Sequence, residues 1–353
     1  MTGSELILHL VGDLMVKTRL EQQPWREDPG FLAAVRELQA ADLVVANLEM
    51  PLSRRGYRVP KWANLRSEPE VIEAVRWLGV HAVTLANNHM MDYGHPALLD
   101  TLETCDRAGL VRFGAGRDLA EAELAARFEI KGLKVAFVGV ACTLPVESAA
   151  GPSKPGVNPL RVGFAFEVDA NLMMEQPGTV PIVRSWAVAA DRERVCEQVS
   201  RLKQEADLVV VGIHWGVPSH WLAPYQGLLA EYQPALGHAL VNAGADVVWG
   251  HHSHSLHPVE VYRGRPIFYS LGNFFFEGAG ARSFMEPESV IVRLRVGGGL
   301  RAELVPLWLD DAGFPRLARD EAAGAVFRKL AERSAQFGTQ LEVHNDRAII
   351  NLE

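Results

Sequence analysis

Five short runs in this chain are almost wholly apolar, and each gives way to residues that coordinate metals or move protons. Leu6 to Val11 is followed by Gly12-Asp13, Ala41 to Val45 by Asn47-Leu48-Glu49, and Ala82 to Leu85 by Asn87-Asn88-His89. Ala206 to Val210 leads to His214-Trp215-Gly216, and Ala245 to Val248 to Gly250-His251-His252-Ser253-His254. Near-continuous apolar runs of this length fit strands covered on both faces, as in parallel sheets flanked by helices. Helical stretches fit between most of them; one starts at Ser67-Glu68-Pro69-Glu70, where Ser67 can cap and Glu70 can complete a capping box. Ligands collect beyond the carboxyl ends of strands in open α/β sheets, so the five polar segments are expected on one rim.

Three hairpins interrupt the helix–strand alternation: Phe128 to Val138 turning at Lys131-Gly132, Glu260 to Leu271 turning at Arg263-Gly264, and a third near Gly297 to Gly299. Sheet pairs flanked by helices make a four-layer sandwich more natural than a simple doubly wound sheet. Residues 144–186 are rich in Pro and Gly without clean periodicity, which points to a lid or substrate-binding insertion within a single domain spanning 1–353.

The 353 residues are 48% hydrophobic and 22% charged, enough for a large core without staples. A net charge of -8 disfavours a nucleic-acid partner. Cys105, Cys142 and Cys196 are odd in number and far apart, which fits a reducing compartment rather than a disulfide framework. With no signal-like N-terminal run and no stretch of roughly 18 apolar residues, the expectation is a cytoplasmic protein without a membrane partner.

Each polar residue also has a plainer explanation. Asp13 could cap the next helix, and Glu49 could be a solvated loop carboxylate rather than an oxygen ligand bridging two ions. A turn rich in Asn accounts for Asn87 and Asn88 but not for His89. Asp92 could fix the tautomer of His89 or simply start a helix. His214 alone reads as a hydrogen-bonded core residue or a ligand. In extended chain, residues i and i+2 point the same way, so His252 and His254 are expected at one ion site while His251 faces elsewhere. His9 and His81 read as core residues, and His220, His238 and His257 as structural or surface ones. Trp215, Trp221 and Tyr225 are either a substrate wall or core.

The segments Gly-Asp13-Leu-Met, Ala-Asn-Leu-Glu49-Met-Pro, Leu-Ala-Asn-Asn88-His89-Met-Met-Asp92-Tyr-Gly, His214-Trp-Gly, Gly-His-His252-Ser-His254 and Tyr-Ser-Leu-Gly-Asn273-Phe together resemble the CapA family. That family is named for capsule and poly-gamma-glutamate synthesis and belongs to the calcineurin-like metallophosphoesterase superfamily. The resemblance implies an αββα four-layer sandwich. It implies one divalent metal near Asp13, Glu49 and His254 and another near Glu49, Asn88, His214 and His252, with His89 beside them as a proton donor. One departure stands out: phosphoesterases of this fold have Asp-x-His on the first strand, whereas this chain has Asp13-Leu14-Met15, and Glu49 stands where Asp is usual. A nitrogen ligand is thereby lost, which weakens the first metal site and argues against standard two-metal hydrolysis.

Soluble members of the family epimerise the C-terminal residue of a lasso-peptide precursor, and this chain is similar to them. The leading expectation is therefore metal-assisted proton exchange at the Cα of a peptide substrate, with His89–Asp92 and His254–Asp13 as acid/base pairs. The alternatives are phosphoesterase hydrolysis, with His89 protonating the leaving oxygen, and a polyglutamate or capsule synthesis accessory that binds polymer without turnover. The last would need a basic groove, for which the candidates are Arg54, Arg55, Arg58 and Lys61. One or two divalent ions are expected: zinc, manganese or iron if the histidines dominate, calcium if Asp13, Glu49, Asn88 and waters do.

Overall fold

The computed structural model describes residues 5–22, 24–217, 228–278 and 285–352. Side chains along the buried strands alternate between two hydrophobic layers, and this alternation builds the molecule. Leu6, Leu8, Leu10, Leu43 and Val45 point inward, as do Val135, Phe137, Leu208, Val210, Val247 and Trp249 from the other sheet, and together they fill the space between the sheets. Val44, Ala46 and Val83 point outward against helices Pro29–Leu38, Ile72–Trp77 and Gly94–Ala108. On the far side Val138, Val209, Val211 and Ile213 meet helices Ala189–Lys203 and Tyr232–Asn242. Helices, sheet, sheet and helices give the calcineurin-like four-layer α/β sandwich expected from the sequence.

The first sheet runs in the order Leu341–His344, Arg347–Ile350, Leu300–Leu309, Glu288–Val296, Leu6–Met15, Leu43–Leu48, Ala82–Thr84 and Val111–Phe113. Its last four strands are parallel. The second runs Val259–Tyr262, Arg265–Phe268, Val247–His251, Leu208–His214, Leu133–Ala141 and Ala126–Ile130. The five apolar runs thus divide, three in the first sheet and two in the second, instead of lining one rim of a single sheet.

All three anticipated hairpins form as antiparallel pairs. The capping box does not. Ser67 is buried, its hydroxyl donates to the Val16 carbonyl and its backbone pairs with Pro51 and Ser53, while Glu70 accepts from Arg54. The helix there begins as a single 3-10 turn at Pro69–Val71 without a side-chain cap. Residues 144–186 hold more regular structure than their composition suggests, with Gly156–Val157 paired to Ala115–Gly116 and Val162–Glu167 paired to Ile182–Ala187 around the short helix Ala170–Glu175. Cys105, Cys142 and Cys196 are free thiols. Among the described residues no helix is long and apolar enough to cross a membrane.

Candidate metal centre

The inward alternation runs out of hydrophobic residues at the carboxyl ends of the strands. Leu43 and Val45 are followed on the same face by Asn47, Leu208 and Val210 by Gly212 and His214, and Val247 and Trp249 by His251. Polar side chains from both sheets therefore face one another across the end of the gap. Two glycines allow the close approach this needs. A Cβ on Gly12 would lie 1.8 Å from the Gly272 carbonyl oxygen, and one on Gly250 would lie 2.2 Å from that of Tyr269.

Beyond His251 the chain is not extended. His252 and His254 take left-handed φ values of 98° and 52°, sparsely populated by residues with a side chain and a form of strain typical of functional sites. The i, i+2 expectation is overturned accordingly, because the two histidines go to different ligand groups. Glu49, His214 and His252 form one potential metal-holding group and Asp13, Glu49 and His254 the other, with the ligand atoms of each within 4.8 Å of one another. His251 stays on the strand beneath them, buried against Trp249.

All eight residues singled out from the sequence meet here. Asp13 Oδ1 accepts from Asn47 Nδ2 at 2.8 Å, and its Oδ2 is 3.3 Å from His254 Nδ1. His214 Nε2 is 2.8 Å from Asn88 Oδ1 and 3.0 Å from His252 Nδ1. His89 Nδ1 lies 2.6 Å from Asp92 Oδ2, so the neutral ring donates there and turns Nε2 toward Glu49 Oε1, 3.9 Å away. Glu49 Oε1 is also 3.5 Å from His214 Nε2 and 3.8 Å from His254 Nε2.

Both Glu49 oxygens are buried without a hydrogen-bond donor. An uncompensated buried carboxylate costs several kcal/mol, so a donorless one shared by two ligand groups fits a bridge between cations. The electrostatics agree. Burial, then the neighbouring Asp13 charge, pushes the Glu49 carboxyl well above its usual range. Burial would also raise Asp13, but the His254 hydrogen bond and charge outweigh it and hold Asp13 at about 2. Burial and then the facing imidazoles drive His214 well below its ordinary value and His252 down to about 3, leaving both neutral as coordination requires. Burial works against a charge on His254, yet Glu49 and Asp13 raise it to about 9. Two carboxylates thus draw positive charge into the centre.

Three contributors carried no assignment from the sequence. Asn47 holds Asp13, and Asn273 Oδ1 lies 2.8 Å from His254 Nδ1. Both were visible, Asn47 as the polar residue continuing the inward face and Asn273 inside a quoted motif. Lys61 was visible only as part of a basic cluster; it reaches in from a distant loop to donate to Asp92 Oδ1 at 2.6 Å and the Asn88 carbonyl at 2.7 Å. Met15, where a histidine ligand would stand in a phosphoesterase, is packed in the core. Trp215 is core as well, stacked on Tyr269 and donating to its carbonyl, so it forms no substrate wall; Trp221, Tyr225 and His220 lie outside the described residues. His9 is a core residue as expected, whereas His81 is exposed at the strand start, accepting from the Val44 N–H. His238 is structural, bound to Glu260 and stacked on Tyr262, and His257 is buried.

A family model described as bacterial capsule synthesis protein PGA_cap matches residues 7–278, a span that contains every ligand candidate. The chain belongs to this family. PGA_cap proteins are of the calcineurin-like superfamily, which is metal-dependent and includes the metallophosphoesterases. The capsule biosynthesis protein CapA of Bacillus anthracis is 28% identical over 94% of this chain and 77% of its own length. The PGA biosynthesis protein CapA of Bacillus subtilis (strain 168) is 28% identical over 94% of this chain and 79% of its own. A protein of Mycobacterium tuberculosis named "Probable polyglutamine synthesis accessory protein" is 29% identical over 92% of this chain and 81% of its own.

Proposed function

We propose that this PGA_cap protein is a metal-dependent accessory of polymer synthesis that holds a carboxylate-bearing chain of the polyglutamate kind at its metal centre. The observation that carries this is Glu49, a buried carboxylate without a donor, shared by two ligand groups. The names of the relatives supply the polymer class. Asp13, Glu49, Asn88, His214, His252 and His254 are the residues that would hold one or two divalent ions. Such ions, when bound, polarise carboxylate or carbonyl oxygens as Lewis acids. Asn47 and Asn273 orient Asp13 and His254, and Asp92 fixes the His89 ring so that Nε2 faces the centre as a proton acceptor, or as a donor once protonated. The mixed oxygen and nitrogen donors favour manganese, iron or zinc over calcium.

Phosphoester hydrolysis is the second reading, favoured by the His89–Asp92 pair beside the ligand groups. Cα epimerisation of a peptide ranks third. The relatives are named for capsule and polymer synthesis, and of the aromatic wall it drew on, Trp215 is buried in the core. One experiment orders the three: metal-loaded and chelated protein are titrated with γ-linked glutamate oligomers, in parallel with an aryl-phosphate assay and with oligomers incubated in deuterated water. The expected result is chelator-sensitive binding with oligomer length and stereochemistry unchanged. Phosphate release would put hydrolysis first, deuterium at Cα would put epimerisation first, and binding indifferent to chelator would sink the proposal.

A further inference from the structure

The loop between Pro51 and Ser67 closes on itself at its base, where Ser53 N donates to the Ser67 carbonyl and Ser67 N to that of Pro51, both at 3.0 Å. Its body is fastened to the turn that carries His89 and Asp92. Val59 N donates to the Asp92 carbonyl at 3.0 Å, Leu65 N to Asp92 Oδ2 at 2.6 Å, and Lys61 Nζ to Asp92 Oδ1 at 2.6 Å. Tyr57 N adds a bond to the Tyr93 carbonyl. Asp92 is thus a post around which the loop is wrapped, and the same carboxylate holds the His89 ring, so the loop is fixed to the turn that faces the metal centre.

The arginines of this neighbourhood divide into two kinds. Arg19 is paired with Glu68, Arg54 with Glu70 through two bonds, and Arg55 with Asp100. These charges are committed. Arg58 and Arg66 are exposed, and among the described residues neither has a carboxylate within ion-pair reach. Arg58 donates from Nε to Asn64 Oδ1, and Arg66 lies with its guanidinium 4.0 Å above the centre of the Tyr93 ring. Each therefore has its plane oriented by a neighbour while its charge is left over. In a chain of net charge -8, whose other nearby arginines are neutralised, two oriented guanidiniums flanking one post form a local positive site. A fixed planar fork matches a carboxylate.

We infer that Arg58 and Arg66 form a carboxylate-binding subsite that takes pendant α-carboxylates of the polymer next to the unit held at the metal centre. This rests on the polymer-accessory reading above. It also revises the basic cluster expected from the sequence, because Arg54 and Arg55 are spent on ion pairs, Lys61 is turned inward, and Arg66 joins.

The test titrates a fluorescent γ-linked glutamate oligomer into the metal-loaded protein, its R58Q/R66Q variant and an R54Q/R55Q control, each at several salt concentrations. A γ-linked oligomer of equal length whose α-carboxylates are converted to carboxamides serves as the neutral probe. R58Q/R66Q is expected to weaken glutamate-oligomer binding by at least about tenfold and to flatten its salt dependence. Metal content and thermal midpoint should stay unchanged, and R54Q/R55Q should bind within about twofold of the unsubstituted protein. Equal affinity in R58Q/R66Q or an equal loss in the control overturns this inference alone, whereas equal binding of the neutral oligomer overturns it together with the reading of a carboxylate-bearing chain at the metal centre. Failure of the unsubstituted metal-loaded protein to bind the glutamate oligomer overturns both it and the polymer reading.

Discussion

At the scale of single residues, Glu49 and His9 show how one buried group behaves when its surroundings do or do not satisfy it. Glu49 has no donor for either oxygen, and burial pushes its carboxyl well above the usual range, so in metal-free protein burying this group opposes folding. Glu49→Gln should make the chelated protein more stable by roughly 1–3 kcal/mol, read by urea unfolding, while bound metal falls in elemental analysis. His9 is the opposite case. Its Nδ1 bonds the Leu38 carbonyl and its Nε2 accepts from Arg293, a pattern only a neutral ring can complete. Burial and then the Arg293 charge lower its pKa from 6.5 to about 4. A depressed folded-state pKa gives stability that is fully present above pH 6.5 and lost as pH falls toward 4. The loss amounts to roughly 3 kcal/mol by the bottom of that window. Unfolding free energy measured across these pH values should fall, and His9→Gln should flatten the slope.

Among elements, the contest between local signal and tertiary pairing decides what forms. The hairpins at Lys131-Gly132 and Arg263-Gly264 were legible because the turn residues and flanking strands are adjacent in sequence, with Lys131 and Arg263 accepting left-handed φ values. The capping box at Ser67 was a local signal that lost. Ser67 is held by Val16, Pro51 and Ser53, far enough away that no local pattern reveals them. The first strand shows the reverse, a tertiary demand written as a single glycine. Leu6–Met15 pairs with Glu288–Val296 along its first half and with Asn273–Phe276 beyond Gly12. Asp13 N donates to the Gly272 carbonyl that a Gly12 side chain would strike. Gly12→Ala should push these strands apart, costing about 3 kcal/mol in denaturant unfolding and weakening metal binding in the same preparation, since Asp13 and Asn273 move with the strands.

For the whole molecule, the centre is a junction between sheets. Asp13, Glu49 and Asn88 lie at or beyond the ends of strands of the first sheet, while His214, His252 and His254 lie at or beyond the ends of strands of the second. An ion that binds only the assembled centre stabilises the folded state by about 2.7 kcal/mol at a hundredfold excess over its Kd. Calorimetry should therefore show a lower Tm in chelator, restored by added metal, and the difference should vanish in Glu49→Gln, whose folded state lacks the bridging charge.

The buried strands could be read without any structure, because their apolar runs and alternation are local, and so could the candidate ligand-type residues, because each stands within a few positions of a strand end. The sequence could also suggest that Glu49 is shared, through family resemblance. Long-range packing alone settles that the five strands divide between two sheets, that left-handed turns send His252 and His254 to different ligand groups, and that Lys61 enters the centre while Trp215 leaves for the core. These outcomes depend on which distant segments pack together. Burial and hydrogen-bond satisfaction across the gap set that packing, and no window of neighbouring residues contains both sides of it.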